Sequence, residues 1–123
     1  MILVDTSVWI DHLHRTEPRL VDHLANDEVG CHPLVIEELA LGSIKQRNVF
    51  LELLGNLRQF PQLSHAEVMT FIDENRLWGR GLSAVDANLL GSVLLTAGSQ
   101  LWTRDKRLAT VCRAVGVALL AES

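Results

Sequence analysis

The chain has 123 residues, a formal net charge of −4, and 48% hydrophobic and 21% charged residues. This length suits a single domain over residues 1–123, and the hydrophobic content excludes an intrinsically disordered or low-complexity chain. Net acidity also argues against a basic protein that coats a nucleic-acid duplex. The charge is uneven, however, because residues 1–75 carry five Lys/Arg and twelve Asp/Glu, whereas residues 76–123 carry six and three.

Short apolar runs alternate with longer segments of helical periodicity along the chain. The runs predict strands at residues 2–4, 29–32, 101–103 and 117–120, and an edge strand at 60–63, where Pro61 excludes a central position. The segments between them predict helices at residues 6–14, 18–26, 33–41, 45–57, 64–78, 83–97 and 106–114. Strands that alternate with helices predict a three-layer α/β/α fold with a central parallel sheet of about five strands.

No segment of the sequence has the features of an export signal or a membrane span. Asp5 interrupts the first apolar run, and no basic segment precedes that run. The longest uncharged stretch, residues 87–103, contains several polar residues and is better interpreted as a helix, a turn and a strand. Cys31 and Cys112 lack paired spacing, which favours reduced, buried thiols. We therefore expect a cytoplasmic protein with no membrane partner.

Four carboxylates from distant positions are predicted to meet at the carboxyl edge of the sheet. Asp5 directly follows the first strand, and Asp105 follows the strand that contains Trp102. Asp86 lies in the first turn of its helix. Glu38 lies about five residues into its helix, so at a rise of ~1.5 Å per residue its side chain can still reach this edge. Position alone leaves a structural role open for each acid, as a helix cap or a solvated side chain.

Clustered carboxylates repel one another, and a bound cation would allow them to remain ionised together. Hard oxygen ligands without paired Cys or His favour Mg²⁺ or Mn²⁺ over zinc, and the five histidines show no ligand spacing. The matching chemistry is metal-assisted phosphodiester hydrolysis, in which metal ions activate a water and stabilise the leaving oxygen.

Four short motifs, taken in order, resemble the pattern of PIN domains. They are Asp5-Thr6-Ser7 after an apolar strand, Glu38-Leu39 followed by Gly42, Asp86-Ala87 at a helix start, and Thr103-x-Asp105 after a strand. Their order, their spacing and the total length are similar to those of VapC-type toxins of bacterial toxin–antitoxin pairs. The resemblance covers essentially the whole chain.

The resemblance implies an endoribonuclease that depends on Mg²⁺ or Mn²⁺ and cuts structured RNA, with tRNA or rRNA as the expected class. It also implies a homodimer and a VapB-type antitoxin that inserts a segment into the acidic groove. The implied catalytic and metal-binding acids are Asp5, Glu38, Asp86 and Asp105. Ser7 and Thr103 would support them through hydrogen bonds. Glu37 is a rival for Glu38, which is preferred because the family pattern places the acid immediately before Leu39.

An acidic pocket repels RNA, so basic or aromatic side chains must hold the substrate. Candidates for the phosphates flank the acids in the sequence, namely Arg80, Arg104, Lys106 and Arg107. Helical spacing and strand position predict that Trp9 and Trp102 belong to the core, whereas Trp78 at a helix end can face a dimer surface or substrate. Apolar surface at residues 49–57 and 68–72 favours a homodimer.

Three alternatives remain open at the level of sequence. The first is a PIN-domain nuclease that acts in RNA processing outside a toxin–antitoxin pair. The second is a non-catalytic signalling module of the receiver type, which would require a second acid beside Asp5 and a late Lys next to a strand. The third is a phosphatase with a nucleophilic Asp5, which would require a second Asp two residues later, where Ser7 stands. The sequence lacks the features that the last two alternatives need.

Overall fold

A computed structural model describes residues 1–122 of the chain. Its centre is a four-stranded sheet made of β1 (Ile2–Val4), β2 (Val29–Cys31), β3 (Arg58–Gln59) and β4 (Gln100–Trp102), in the order β3-β2-β1-β4. Every neighbouring pair of strands is parallel. Short strands that are buried on both faces need apolar side chains throughout, and the run Ile2-Leu3-Val4 supplies them.

Seven helices within residues 1–122 connect and cover the strands. They are α1 (Thr6–His14), α2 (Pro18–Ala25), α3 (Pro33–Ala40), α4 (Arg47–Asn56), α5 (His65–Asn75), α6 (Ala84–Leu94) and α7 (Lys106–Val115). The result is the predicted three-layer α/β/α architecture. Both predicted capping boxes are formed, by Ser64 with Glu67 and by Ser83 with Asp86. Within the same residues, no helix combines the length and apolarity that crossing a bilayer requires.

The core lies on both faces of the sheet. Leu3, Val4 and Leu101 are fully buried in the central strands, and α6 buries a continuous stretch from Ala87 to Val93. Trp9 and Trp102 are also buried, with 2% and 0% of their surface exposed, which confirms their predicted core positions. Cys31 and Cys112 are buried, unbridged thiols, as their spacing indicates.

The predicted edge strand at residues 60–63 is wrong. The edge strand β3 is Arg58–Gln59, and its ladder ends at Phe60, whose N–H donates to the Cys31 carbonyl at 2.7 Å. Pro61 has no N–H with which to continue the ladder. The Leu63 N–H instead donates to Asn88 Oδ1 at 3.1 Å, which ties this segment to α6.

The predicted fifth strand, residues 117–120, is reduced to a single parallel bridge between Leu101 and Leu119. The Leu101 N–H donates to the Ala118 carbonyl, and the Leu120 N–H donates to the Leu101 carbonyl. The sheet within residues 1–122 therefore has four strands rather than about five. The layer architecture is unaffected.

The order of the strands determines where a site can form. The chain proceeds from β1 outward to β2 and β3, and then returns to place β4 on the other side of β1. In an open parallel sheet, ligands bind beyond the carboxyl ends of the strands, at the point where the strand order reverses. That point lies between β1 and β4, so the residues immediately after Val4 and Trp102 flank it.

Candidate active site

Asp5 lies at this reversal of the strand order, directly after β1. Its backbone N–H donates to the Trp102 carbonyl at 2.8 Å, and its carboxylate caps α1. The side chain is buried, with 6% of the residue exposed. Its Oδ2 accepts hydrogen bonds from Ser7 Oγ at 2.6 Å and Thr103 Oγ1 at 2.8 Å. The hydroxyls of Ser7 and Thr103 therefore hold Asp5 in one orientation.

Thr103 links Asp5 to Asp105 on the neighbouring strand. While its hydroxyl donates to Asp5, its Oγ1 accepts the Asp105 N–H at 3.0 Å. Asp105 then caps α7, because its Oδ1 accepts the N–H groups of Arg107 at 2.9 Å and Leu108 at 3.2 Å. The two acids that follow β1 and β4 are thus connected through one threonine hydroxyl.

Asp86 joins the same edge from the first turn of α6. Its Oδ2 accepts the Ser83 N–H at 3.0 Å within the capping box. Partial burial raises the pKa of Asp86, and the charges of Asp5 and Asp105 raise it further, although hydrogen bonding with Ser83 opposes them. The pKa of Asp86 therefore responds to both other acids, as expected of carboxylates that share a site.

Glu38 belongs to α3 and is tied to Thr6, the first residue of α1. Its Oε1 accepts a hydrogen bond from Thr6 Oγ1 at 2.8 Å. Glu37 makes no side-chain hydrogen bond within the described part of the chain, and both glutamates are exposed. The structure thus favours Glu38 over Glu37 as the fourth acid. Thr6 was missed as a supporting residue, although its place directly after Asp5 was a usable signal.

Each of the four acids has one oxygen held by the protein and one that is free to bind a ligand. The oxygens without a hydrogen-bond partner among residues 1–122 are Asp5 Oδ1, Glu38 Oε2, Asp86 Oδ1 and Asp105 Oδ2. Unpaired carboxylate oxygens with mutual repulsion are suited to Mg²⁺ or Mn²⁺. Among these residues, no group of three or more Asp, Glu, His or Cys side chains stands in an arrangement that could already hold a metal ion. The suitability of the four acids for a divalent cation therefore rests on the chemistry of their oxygen atoms and on their position at one edge of the sheet.

Arg104 is paired with carboxylates of the protein, whereas the sequence predicted that it would bind phosphates. Its guanidinium forms ion pairs with Asp11 at 3.0 Å, with Glu122 at 3.1 Å, and with Glu17. Its N–H donors are therefore engaged by carboxylates, and hydrogen bonds to Glu122 and Glu17 hold its pKa above the ordinary arginine value. Arg104 ties the segment after α7 to α1 and α2, and we replace its predicted role in RNA binding with this structural role.

The other predicted basic residues remain exposed near the acids. Lys106 and Arg107 form the first turn of α7, directly after Asp105, and Arg80 lies in the loop that leads to α6. Arg107 also packs across this loop, since a Cβ built on Gly81 would lie 3.0 Å from Arg107 Nη1. In the described part of the chain none of these three cations forms an ion pair, so each can contact a ligand that binds near the acids.

Known proteins resemble this chain in sequence and in fold. Residues 2–114 match the PIN domain family. Ribonuclease VapC32 of Mycobacterium tuberculosis, from the CDC 1551 / Oshkosh and H37Rv strains alike, is 66% identical over 122 residues, which cover 99% of this chain and 98% of that protein. The crystal structure of PAE2754 from Pyrobaculum aerophilum superposes with a TM-score of 0.57 at 20% identity, covering 94% of this chain and 95% of the other, and supports the fold alone. The chain therefore belongs to the PIN-domain family and, within it, to the VapC type.

Proposed function

We propose that the chain is the toxin of a VapBC-type toxin–antitoxin pair and acts in the cytoplasm. It is an endoribonuclease that hydrolyses RNA phosphodiester bonds with Mg²⁺ or Mn²⁺. The observation that carries this proposal is the convergence of Asp5, Asp86 and Asp105 at the strand-order reversal, with one free oxygen on each. The ribonuclease name of the relative at 66% identity supports the same reaction.

The side chains have distinct roles in this reaction. Asp5, Glu38, Asp86 and Asp105 would hold the metal through their free oxygens. When bound, Mg²⁺ or Mn²⁺ supplies Lewis acidity for the attacking water and the leaving oxygen. Ser7 and Thr103 keep Asp5 oriented, and Thr6 keeps Glu38 directed toward the start of α1, next to Asp5. Arg80, Lys106 and Arg107 bind RNA phosphates on the side of α7, which makes affinity dependent on salt.

An antitoxin segment can reach Glu38 along a groove between α1 and the end of α3. This groove, of about 570 Å³, is lined by apolar side chains and by Glu38 itself, with Ile10, Leu13, Leu39, Ile44 and Lys45 among its residues. Ile10 and Leu13 are 42% and 40% exposed, an apolar surface suited to the chain of a partner. A VapB-type antitoxin that lies in this groove would cover Glu38 and place a cationic side chain against the other acids.

A homodimer would cover further apolar surface on α4 to α6. Val49 and Leu53 are 58% and 60% exposed on α4, and Leu94 and Leu95 are 45% and 62% exposed beside a groove between α5 and α6. We propose that some of this surface is buried between two copies of the chain. Sedimentation showing only monomer at micromolar concentration would contradict the dimer.

The purified protein should cut RNA only in the presence of a divalent cation. We expect total RNA incubated with Mg²⁺ or Mn²⁺ to acquire new, discrete 5′ ends, because the acids need a cation to act together. Adding EDTA beforehand should prevent these ends from forming. Adding Mg²⁺ in excess over the EDTA should restore cleavage. Mapping the ends also identifies the substrate. Cleavage that persists unchanged in EDTA would refute the metal site.

Expression in cells separates the toxin from the alternative of a general RNA-processing nuclease. A toxin arrests growth when expressed alone, and co-expression of the adjacent small gene should relieve that arrest. An RNA-processing enzyme would cut RNA in the test tube without such an arrest.

The two neighbouring glutamates of α3 provide a matched pair of variants. Glu38→Gln should lower the cleavage rate by roughly 10- to 100-fold, because it removes a charge held toward the site by Thr6. Glu37→Gln, one residue away and equally exposed, should cleave at the parental rate. Initial rates measured across a Mg²⁺ titration distinguish the two. The opposite ranking would make Glu37 the fourth acid.

A further inference from the structure

Trp78 is a large aromatic side chain that the fold leaves in solvent. It lies in the loop between α5 and α6, residues 76–82, and 63% of its surface is exposed. Trp9 and Trp102, by contrast, are buried. Removing an exposed tryptophan from water is favourable, so a surface tryptophan beside a site is a candidate contact for a ligand.

The loop holds Trp78 in a defined position. Arg76, Gly79 and Gly81 all adopt left-handed backbone conformations, with φ of 52°, 73° and 75°, so the loop is a compact series of turns. Leu77, directly before Trp78, is buried, and its N–H donates to the Ile72 carbonyl at 3.1 Å. A side chain that follows an anchored residue loses less freedom when it binds a partner.

Three arginines belong to the loop that carries Trp78 or contact that loop. Arg76 and Arg80 flank Trp78 in the sequence, and both are exposed. Arg107 reaches the same loop from α7, where its guanidinium lies against Gly81. An exposed aromatic ring among arginines matches a ligand that has flat apolar faces and a chain of negative charges. It matches a second copy of this chain less well, because an interface would bring these cations close to one another.

The loop also leads directly into the acidic site. Ser83, which caps α6 and bonds to Asp86, is five positions after Trp78, so the two Cα atoms are at most about 18 Å apart. On the other side, Arg107 donates its backbone N–H to Asp105. A nucleic-acid strand whose phosphate lies at the acids therefore extends within reach of Trp78.

We propose that Trp78 is a stacking platform for an unpaired base of the RNA, next to the phosphate that is cut. This inference rests on the proposed ribonuclease function and names the form of the RNA that the site takes. The base stacks on the indole ring, while Arg76, Arg80 and Arg107 contact the adjacent phosphates. The platform thus favours RNA with a single-stranded loop or bulge at the cleavage position over a continuous duplex.

Binding measured without cleavage tests the platform independently of the nuclease activity. Fluorescence anisotropy of a labelled 12-nucleotide polyuridylate, titrated in EDTA, gives the dissociation constant for each variant. Trp78→Ala should bind about 5- to 150-fold more weakly, which is the range for loss of one base–aromatic stack. Trp78→Phe should remain within about threefold of the parent, since phenylalanine keeps a stacking face. Val21→Ala, an exposed apolar residue on α2, is the matched control and should leave affinity unchanged.

A second probe separates the stacking contact from the phosphate contacts. A 12-mer of the same length that carries abasic sites should bind the parent and Trp78→Ala equally, because both keep the arginines. Equal affinity of the parent and Trp78→Ala for polyuridylate would overturn the platform, even if the parent cleaves RNA. Binding that depends on Trp78 without any cleavage in Mg²⁺ would retain the platform and refute the nuclease. Sedimentation showing that Trp78→Ala alone dissociates a dimer would assign Trp78 to the subunit interface and overturn the proposal.

Discussion

Replacing Asp86 with Asn should reduce RNA cleavage by roughly 100- to 1,000-fold or more, with the fold intact. An amide has nearly the same shape as the carboxylate, and its oxygen can still accept the Ser83 N–H that closes the capping box. It cannot supply the negative charge that a divalent cation requires. The loss should therefore appear in the catalytic rate and in the Mg²⁺ concentration needed for half-maximal activity.

The same substitution should leave the melting temperature equal to or above that of the parent. Burial and the charges of Asp5 and Asp105 raise the pKa of Asp86, so its ionised form is disfavoured in the folded state. At neutral pH the charge costs folding free energy, and removing it relieves that cost. A catalytic site that stores electrostatic repulsion gains stability when one of its charges is removed.

Asp73→Asn on α5 is the control, because Asp73 is an exposed acid outside the crevice. It should retain parental cleavage and Mg²⁺ dependence. Thermal denaturation and cleavage measured on the same preparations separate folding from chemistry. Parental cleavage by Asp86→Asn in Mg²⁺ would show that the metal site has been placed wrongly.

Lowering the pH from 7 to 5 should cost about 2 kcal/mol of unfolding free energy through His32 alone. His32 is fully buried, and its Nδ1 accepts the Leu34 N–H at 3.0 Å as the cap of α3. Its Nε2 therefore carries the hydrogen and donates to Ser92 Oγ at 3.0 Å, and Ser92 in turn donates to the Pro61 carbonyl. A second proton would have to bind at Nδ1, which would break the hydrogen bond that Nδ1 accepts from the Leu34 N–H.

Burial lowers the pKa of His32 to about 4 from its ordinary 6.5, and the Pro61 carbonyl opposes this only in part. As the pH falls, the unfolded chain binds a proton at this histidine before the folded chain does. The stability that neutral His32 contributes is therefore complete above pH 6.5 and is lost as the pH falls through about 4. Urea denaturation at pH 7, 6 and 5 measures the loss.

His32→Asn tests the assignment. Asparagine can still cap α3 but does not titrate, so this part of the pH dependence should vanish. The variant should also be about 1–3 kcal/mol less stable at pH 7, because the bond to Ser92 is lost. His65→Asn, at the exposed start of α5, should keep the parental slope. A His32→Asn slope equal to that of the parent would refute His32 as the titrating group.

Local signals account for most of what the sequence predicted correctly. Capping boxes predicted the helix starts at Ser64 and Ser83, and short apolar runs predicted the buried strands. Both signals come from residues that are close together in the sequence. Chain order and the rule for parallel sheets then brought Asp5 and Asp105 to one edge. The identity to the VapC relative confirms the family to which these motifs point.

Long-range contacts account for what the sequence did not reveal. Arg104 looked like a phosphate ligand because it stands beside Asp105, whereas its partners Glu17 and Glu122 come from two other parts of the chain. The end of β3 depends on Phe60 bonding to Cys31 on the neighbouring strand, and no local pattern predicts that register. The contact between Thr6 and Glu38 likewise joins two residues, 32 positions apart, that only the fold brings together.

The position of β1 in the sheet has a consequence for protein synthesis. β1 is the first strand along the chain, yet it lies between β2 and β4 and reaches its second neighbour only after residue 100 has been made. Because Asp5 and Asp105 meet through Thr103, an emerging polypeptide contains no assembled acidic site until nearly all of it has left the ribosome. Translation products that end before Asp105 would therefore lack the assembled acidic site.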